Sequence, residues 1–403
     1  MFSEKPQIAH VLYVFFALFF ATEGWGLRVF HTNILGGNIF VVSAMVHILC
    51  GLIWFNNGKM EKLWPWFLIL IGVFLSIYPA AYFWNQSFQD SFLLYRHHIW
   101  LFYLLVFCKI RPSQRDIYRA IGIFTIVFSV IWVYQAVTHN LLVTYYDEGL
   151  EDGRYINVLD NEIGFFVNGF AIVLVLFYHY LAECLENRSM KSLLIMLLLF
   201  LLLLLATRRS YLFFAALMLG YVIIKRVRQP GKALSNVVVF LIIGIGLYYS
   251  LSLWDSLVTE TQDQMGDDEY ARWRSVNYFF NEFSPSLICK IFGNGFLSLK
   301  TAGGRMIQEM SSYNIYIQDI GLMGEWVKYG IIPIIVIYYI LFQILFFNRK
   351  RYPLEIKFLA LHIAVLPTAW SLLDSYREFV LIFLLYQYVI IESKTFQNER
   401  VFS

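Results

Sequence analysis

Charge is what this chain has least of. Charged residues fill 15% of its 403 positions, against roughly 25% in an ordinary soluble domain. That shortage excludes a fold that clothes itself in water. Cysteine is scarce too: Cys50, Cys108, Cys184 and Cys289 are scattered, which implies no disulfide framework. The eight histidines are dispersed. The one local pair, His97-His98, points to different faces of a helix with no carboxylate at a ligand spacing, so no metal site is expected there. No phosphate-binding glycine loop, nucleophile elbow or nucleotide fingerprint occurs. The expectation is a chain with no metal, no cofactor, no nucleic-acid partner and no energy source of its own.

What fills the space is grease. Hydrophobic residues make up 59% of the chain, in recurring apolar runs of about 20 residues, the length that crosses a bilayer. The class expected is all-α: one integral membrane domain over 1–403, a polytopic bundle of about 12 transmembrane helices. The spans fall near 9–27, 38–56, 63–83, 94–108, 117–137, 163–183, 190–206, 210–225, 235–254, 321–347, 355–373 and 378–393. Lys5 precedes the first span and no small-residue cleavage site follows it, so the first helix is expected to stay as an anchor.

Basic residues orient the bundle. With the N-terminus inside, the inner side collects Lys59, Lys62, Lys109, Arg111, Arg115, Arg188 and Lys191. It also collects Lys225, Arg226, Arg228, Lys232, Arg349, Lys350 and Arg351, as the positive-inside rule requires. Both termini are then cytoplasmic. The acidic loop 147–162 and the longest polar stretch, 255–320, face outward.

That map leaves an anomaly. Arg208 and Arg209, in "LLLATRRSYLFF", land at the outer surface in a tight hairpin between spans seven and eight. Arg28, Arg96, Arg154, Arg272, Arg274, Arg305 and Arg377 join them on the outer side or rim, where lysine is limited to Lys290, Lys300 and Lys328. Arginine without lysine suits phosphate or carboxylate, because its planar fork binds two oxygens at once. Contact with lipid headgroups or pairing with loop acids is the plainer reading of any one of them.

The outer stretch has internal structure. "DEYARWRSVNYFFNEFS" spaces Tyr270, Trp273, Val276, Phe280 and Phe283 on one helical stripe, which predicts an amphipathic helix lying on the membrane or on the bundle. Pro285 ends that helix, and "FGNGF" at 292–296 supplies a glycine turn. Glu325 and Lys328, about one turn apart in span ten, are expected to pair with each other.

Three blocks carry a resemblance. "LLLATRRSYLFFAAL", "ARWRSVNYFFNEFSPSLICKIFGNGF" and "YNIYIQDIGLMG" resemble, in order and spacing, segments of the bacterial O-antigen polymerase and O-antigen ligase superfamily. An upstream stretch, "DGRYINVLDNEIGFFVNGF", is similar through Arg154 and Asn168. The likeness covers residues 150–345. It implies a glycosyltransferase of the bacterial inner membrane that uses undecaprenyl-diphosphate-linked oligosaccharide outside the cytoplasm, without metal or nucleotide sugar. Its further partners would be membrane lipids, a flippase and a chain-length regulator.

In such a family outer-face arginines hold the donor diphosphate. Here that role would fall to Arg209, with Arg272 or Arg274 as second clamp, since guanidinium groups stabilise the charge that builds on a departing diphosphate. Arg208, Arg154, Arg305 and Asn314 would line the substrate. The family's ligases carry histidine where this chain has Tyr313, which favours joining repeat units (O-antigen, capsule or exopolysaccharide) over transfer to lipid A core. Asp319 matches the family's acidic position, as a base or as a cap on span ten. A flippase or transporter of the same lipids is the competing class, and a scaffold of the assembly machinery a third.

Overall fold

In a computed structural model the described residues are helical in their regular structure apart from one two-residue-per-strand hairpin, Asn157–Val158 with Asn161–Glu162. The structure describes residues 7–27, 38–54, 62–138, 142, 157–158, 161–162, 169–187, 189–205, 209–227, 271–313, 315–347, 350–368, 370–374 and 377–401. Helices lie over each expected span except 235–254, which falls outside the described residues. Among the described residues three are long and apolar enough to cross a membrane: Trp64–Trp84, Phe88–Ile110 and Gln114–Gln135. Shorter apolar helices are Ile8–Ala21, Ile39–Trp54, Met190–Leu203 and Ile331–Phe347.

Composition on both faces of Trp64–Trp84 is that of a helix able to cross a membrane. Along Trp64–Trp84 one face buries Trp66, Ile69, Val73, Ala80 and Trp84, while Phe67, Ile71, Phe74, Tyr78 and Tyr82 are exposed. A helix bordering water would carry polar residues on that second face. Hydrocarbon asks for none.

The chain forms two compact units, Met1–Glu23 with Leu35–Ile121 and Ala271–Ser403, and Gly24–Ile34 with Gly122–Tyr270. In the second, Phe170–Glu186, Met190–Leu205 and Arg209–Val227 pack together, Ser192 Oγ donates to Glu183 Oε2 at 2.8 Å across a turn, and Trp25 stacks on Phe124 at 5.1 Å.

In the first unit the apolar runs are interrupted where the sequence expects continuous spans. Phe88–Tyr95 passes into a 3₁₀ stretch, Arg96–Phe102, before Tyr103–Ile110 resumes. Span ten breaks at Gly330 into Gly321–Tyr329 and Ile331–Phe342. The helix Leu354–Val365 stops short of the expected 373, because Pro367 disfavours helical backbone at Leu366. Beyond it Trp370, Ser371, Leu372 and Leu373 are buried without helical structure, and Glu378–Val401 begins after a turn. Non-helical backbone at membrane depth survives only where protein satisfies it.

The amphipathic helix is real but its buried stripe is rotated. Ala271–Asn277 runs into a π-helical turn, Tyr278–Phe283, which adds residues per turn. Ser275, Phe279 and Phe283 are the buried positions, and Trp273 is 70% exposed. Phe279 and Phe283 join Ala80, Trp84, Leu297, Ile317, Ile320 and Val327 in one core, with Phe283 stacked on Trp84 at 5.0 Å. This face therefore lies on the bundle.

The glycine turn is where two backbones cross. Gly293 has φ +85 and ψ 167, and Gly330 has φ +82 and ψ 179, a region open to glycine alone. A Cβ on Gly293 would lie 2.2 Å from the Lys328 carbonyl oxygen. Asn294 and Gly295 then donate their N–H groups to Val327 and Lys328, each at 2.8 Å. Gly293→Ala is expected to cost at least about 1–3 kcal/mol in backbone strain, read as a lowered Tm of the detergent-solubilised protein. An unchanged Tm would reject the crossing.

Candidate functional site

The residues singled out in the sequence divide between the units. Arg209 is the first residue of the helix Arg209–Val227, in the second unit. Arg208, Arg154 and Asn314 lie outside the described residues, as do Arg28 and Asn168. Arg272 and Arg274 sit half-buried on Ala271–Asn277, and Tyr313 is 59% exposed after the helix Ala302–Ser311. Arg305, on that helix, is exposed and donates to the Lys300 carbonyl at 3.0 Å. Asp319 is half-buried in the 3₁₀ turn Ile317–Ile320.

Within the first unit the second and third motif blocks pack as one body. Ser275 Oγ accepts the Tyr316 N–H at 3.1 Å, and Phe279 shares a core with Ile317 and Ile320. The Gly-x-Gly loop is clamped further: Trp84 Nε1 donates to Asn294 Oδ1 at 3.1 Å, and Tyr95 OH accepts the Phe296 N–H at 3.2 Å. Gln86 donates to the Phe296 carbonyl at 2.9 Å and accepts from the Ser298 N–H at 2.7 Å. Asp319 does not cap the following helix, which has no side-chain cap. Instead Leu322 N–H bonds the Pro367 carbonyl at 2.8 Å.

The interrupted helices converge on ionisable side chains. His98 Nδ1–H donates to Glu378 Oε1. That bond leaves Nε2 to accept from Tyr329 OH at 3.1 Å, since a neutral imidazole offers one donor and one acceptor. His97 turns the other way, its Nδ1 3.4 Å from Glu23 Oε1. Glu23 itself is a non-glycine residue at φ +49, held by the end of the first helix. Adjacent histidines thus serve two carboxylates on two faces of the 3₁₀ stretch.

Glu325 and Lys328 do not pair, contrary to their spacing. Glu325 Oε1 instead accepts the Leu373 N–H, and Lys328 Nζ lies 5.2 Å from the centroid of the Phe296 ring. The buried non-helical segment 370–373 offers an N–H that no helix uses, and that donor outcompetes the neighbouring ammonium. Glu325 Oε2 and Glu378 Oε2 are buried without a hydrogen-bond partner among the described residues, as is Arg96 Nε.

Asp374 stands among these groups. It lies in electrostatic range of Glu23, His97, His98, Glu325, Lys328, Tyr329 and Glu378. Its carbonyl accepts from Arg377 N–H at 2.8 Å and Glu378 N–H at 3.0 Å, which starts the last helix. Sequence reasoning passed over this cluster. Arg96 and Arg377 counted only among the outer arginines, His97, His98, Glu325 and Lys328 each drew a bland reading one at a time, and Glu23, Asp374 and Glu378 drew none. The usable signal was the rule that an ionisable residue inside an apolar run is expensive and faces something.

Compared with known proteins, the chain matches no family model, no curated protein and no solved structure. The geometry is therefore what a function must be read from.

A double-mutant cycle tests the buried pair. His98→Ala and Glu378→Ala are each expected to cost about 3–5 kcal/mol, because each strands a buried partner. The double variant will lose less than the sum, measured by thermal or denaturant unfolding in detergent. Strict additivity would mean that the two side chains do not share an interaction.

Proposed function

We propose that this chain is a membrane glycan polymerase. It joins undecaprenyl-diphosphate-linked oligosaccharide repeat units at the outer face of the bacterial cytoplasmic membrane, building O-antigen, capsule or exopolysaccharide. The observation that carries the reading is the ordered set of arginine-bearing blocks, of which Arg272–Phe296 and Tyr313–Gly324 pack as one hydrogen-bonded body. The full bundle has about 12 transmembrane helices with both termini cytoplasmic. Arg209, with Arg272 or Arg274, clamps the donor diphosphate, and Arg208, Arg154, Arg305 and Asn314 line its path. Charge that develops on the leaving diphosphate is met by guanidinium groups already in position. Partners in the membrane are the lipid-linked substrate, bulk lipid, a flippase and a chain-length regulator.

Tyr313 in the place of the ligase histidine makes another lipid-linked repeat unit the acceptor, and lipid A core the alternative. One observation favours a transporter as second reading. Buried ionisable groups at broken helices are how transporters build substrate and ion sites.

The experiment is a deletion strain. Loss of the gene is expected to leave surface glycan at a single repeat unit. Long polymer accumulating on the lipid carrier would mean a ligase, and repeat units trapped on the inner face would mean a transporter. In the complemented strain Arg209→Lys is expected to shorten the glycan ladder severely at normal expression, because lysine keeps the charge and loses the fork. Wild-type ladders would return Arg209 to a headgroup contact.

Orientation has its own check. Reporter fusions at Lys232 and Gly303 are expected to report opposite sides of the membrane. Agreement between them would sink the map.

A further inference from the structure

An ionisable side chain in an apolar helix is expensive and faces a partner. In the first unit His98 and Glu378 meet across 280 positions: His98 Nδ1–H donates to Glu378 Oε1. Tyr329 OH completes the chain by donating to His98 Nε2 at 3.1 Å. These two bonds join three separately interrupted elements: the 3₁₀ stretch Arg96–Phe102, the end of Gly321–Tyr329 and the start of Glu378–Val401. All three side chains are buried. The bundle is therefore closed at this point by a hydrogen-bonded row whose members can change charge.

Counting protons along that row leaves one position open. The bonds use both nitrogens of a neutral imidazole and one carboxylate oxygen. Glu378 Oε2 remains, buried and without a hydrogen-bond partner among the described residues. With Oε2 bare, the row carries a net negative charge out of water, which costs more than an unpaired hydroxyl does. An imidazolium would make Nε2 a donor and drive the Tyr329 hydrogen off its acceptor. A proton on Oε2 removes the charge and leaves both bonds in place. Facing His98 are the rings of Tyr95 and Tyr329, with centroids 5.6 and 5.1 Å away. From Asn38–Trp54 and Tyr103–Ile110, also packed on the 3₁₀ stretch, His47 and Tyr103 bond each other instead. Lys328 and Asp374 are the charged groups in electrostatic range of the pair.

We propose that Glu378 is a proton-binding site: Oε2 carries a proton while the three elements are closed on His98, and loss of that proton opens them. The ligand is a proton exchanged with water. When it leaves, the O–H bond breaks, its electron pair stays on the carboxylate and water takes the proton. The bare carboxylate then needs donors that the closed site does not hold, so water enters and the junction loosens. This goes beyond the polymerase reading and does not depend on it. The sign of the pH effect follows. Below about pH 4.3 a glutamate is protonated in the unfolded chain as well. Above that, the folded chain holds one proton more than the unfolded chain, so its stability falls as pH rises until the proton leaves the folded site.

The test uses the full chain in detergent. Glu378→Gln keeps the size, the Oε1 acceptor and the neutrality of the protonated side chain, and it cannot ionise. Denaturant unfolding is measured for both proteins across the pH range. From about pH 5 to about pH 7 the folded-to-unfolded ratio of the wild type is expected to fall about 100-fold relative to Glu378→Gln, tenfold per pH unit for one proton. Curves that stay parallel to within about threefold over that range overturn the proposal. Infrared spectroscopy supplies a second reading that does not need Glu378→Gln to fold. The wild type is expected to show the C=O stretch of a protonated carboxylic acid, and His98→Gln is expected to shift it, because the donor on Oε1 has changed. Absence of that band at about pH 5, or a band that His98→Gln leaves unmoved, overturns the proposal as well.

Discussion

A charge that leaves water for a medium without it must find its partner inside the protein. That requirement organises the first unit of this chain. The apolar runs that make it a membrane protein are the same runs that carry Arg96, His98, Glu325, Lys328 and Glu378. Each such residue is tolerable only where the helix around it gives way and brings a partner in. The 3₁₀ stretch at Arg96–Phe102, the break at Gly330 and the non-helical segment before Glu378 are three solutions to one problem. They meet because the charges they serve must meet.

The glycines follow from that convergence. The helix Gly321–Tyr329 delivers Glu325 and Lys328 only if its C-terminal end is fixed. It is fixed by a backbone crossing in which Gly293 and Gly330 leave no room for a side chain. Asn294, Trp84, Gln86 and Tyr95 then lock the crossing with hydrogen bonds. A loop that reads as a simple turn is thereby a bearing for the charged helix.

Legibility in the sequence followed the range of the interactions. Apolar periodicity and length are local, so helix positions were readable almost everywhere, from Ile8–Ala21 to Glu378–Val401. Pro285 and "FGNGF" were readable for the same reason. The π turn after Asn277 was not, because no local pattern announces it, nor was the burial of Ser275 and Phe279 in place of Trp273. Pairing inside the ionic cluster was out of reach as well. Glu325 and Lys328 sit at ideal helical spacing, yet a backbone N–H 48 positions away takes the carboxylate. His98 and Glu378 are separated by 280 positions. The packing of the helix that bears Arg272 and Arg274 against the turn that bears Asp319 rests on Ser275, Tyr316, Phe279, Ile317 and Ile320, none of which the arginine pattern pointed to.

The buried segment 370–373 bears on how the protein is made. A translocon inserts helices one by one as they emerge, and each can sit in lipid alone because its backbone bonds are internal. The segment 370–373 has no such independence, since Leu373 N–H is satisfied only by a side chain from a helix synthesised earlier. Its burial is therefore coupled to the helix Gly321–Tyr329, which emerges first and carries the carboxylate that accepts the Leu373 N–H. Assembly of this unit is therefore ordered from the N-terminal side. Its last step, rather than any single insertion, completes the charged site.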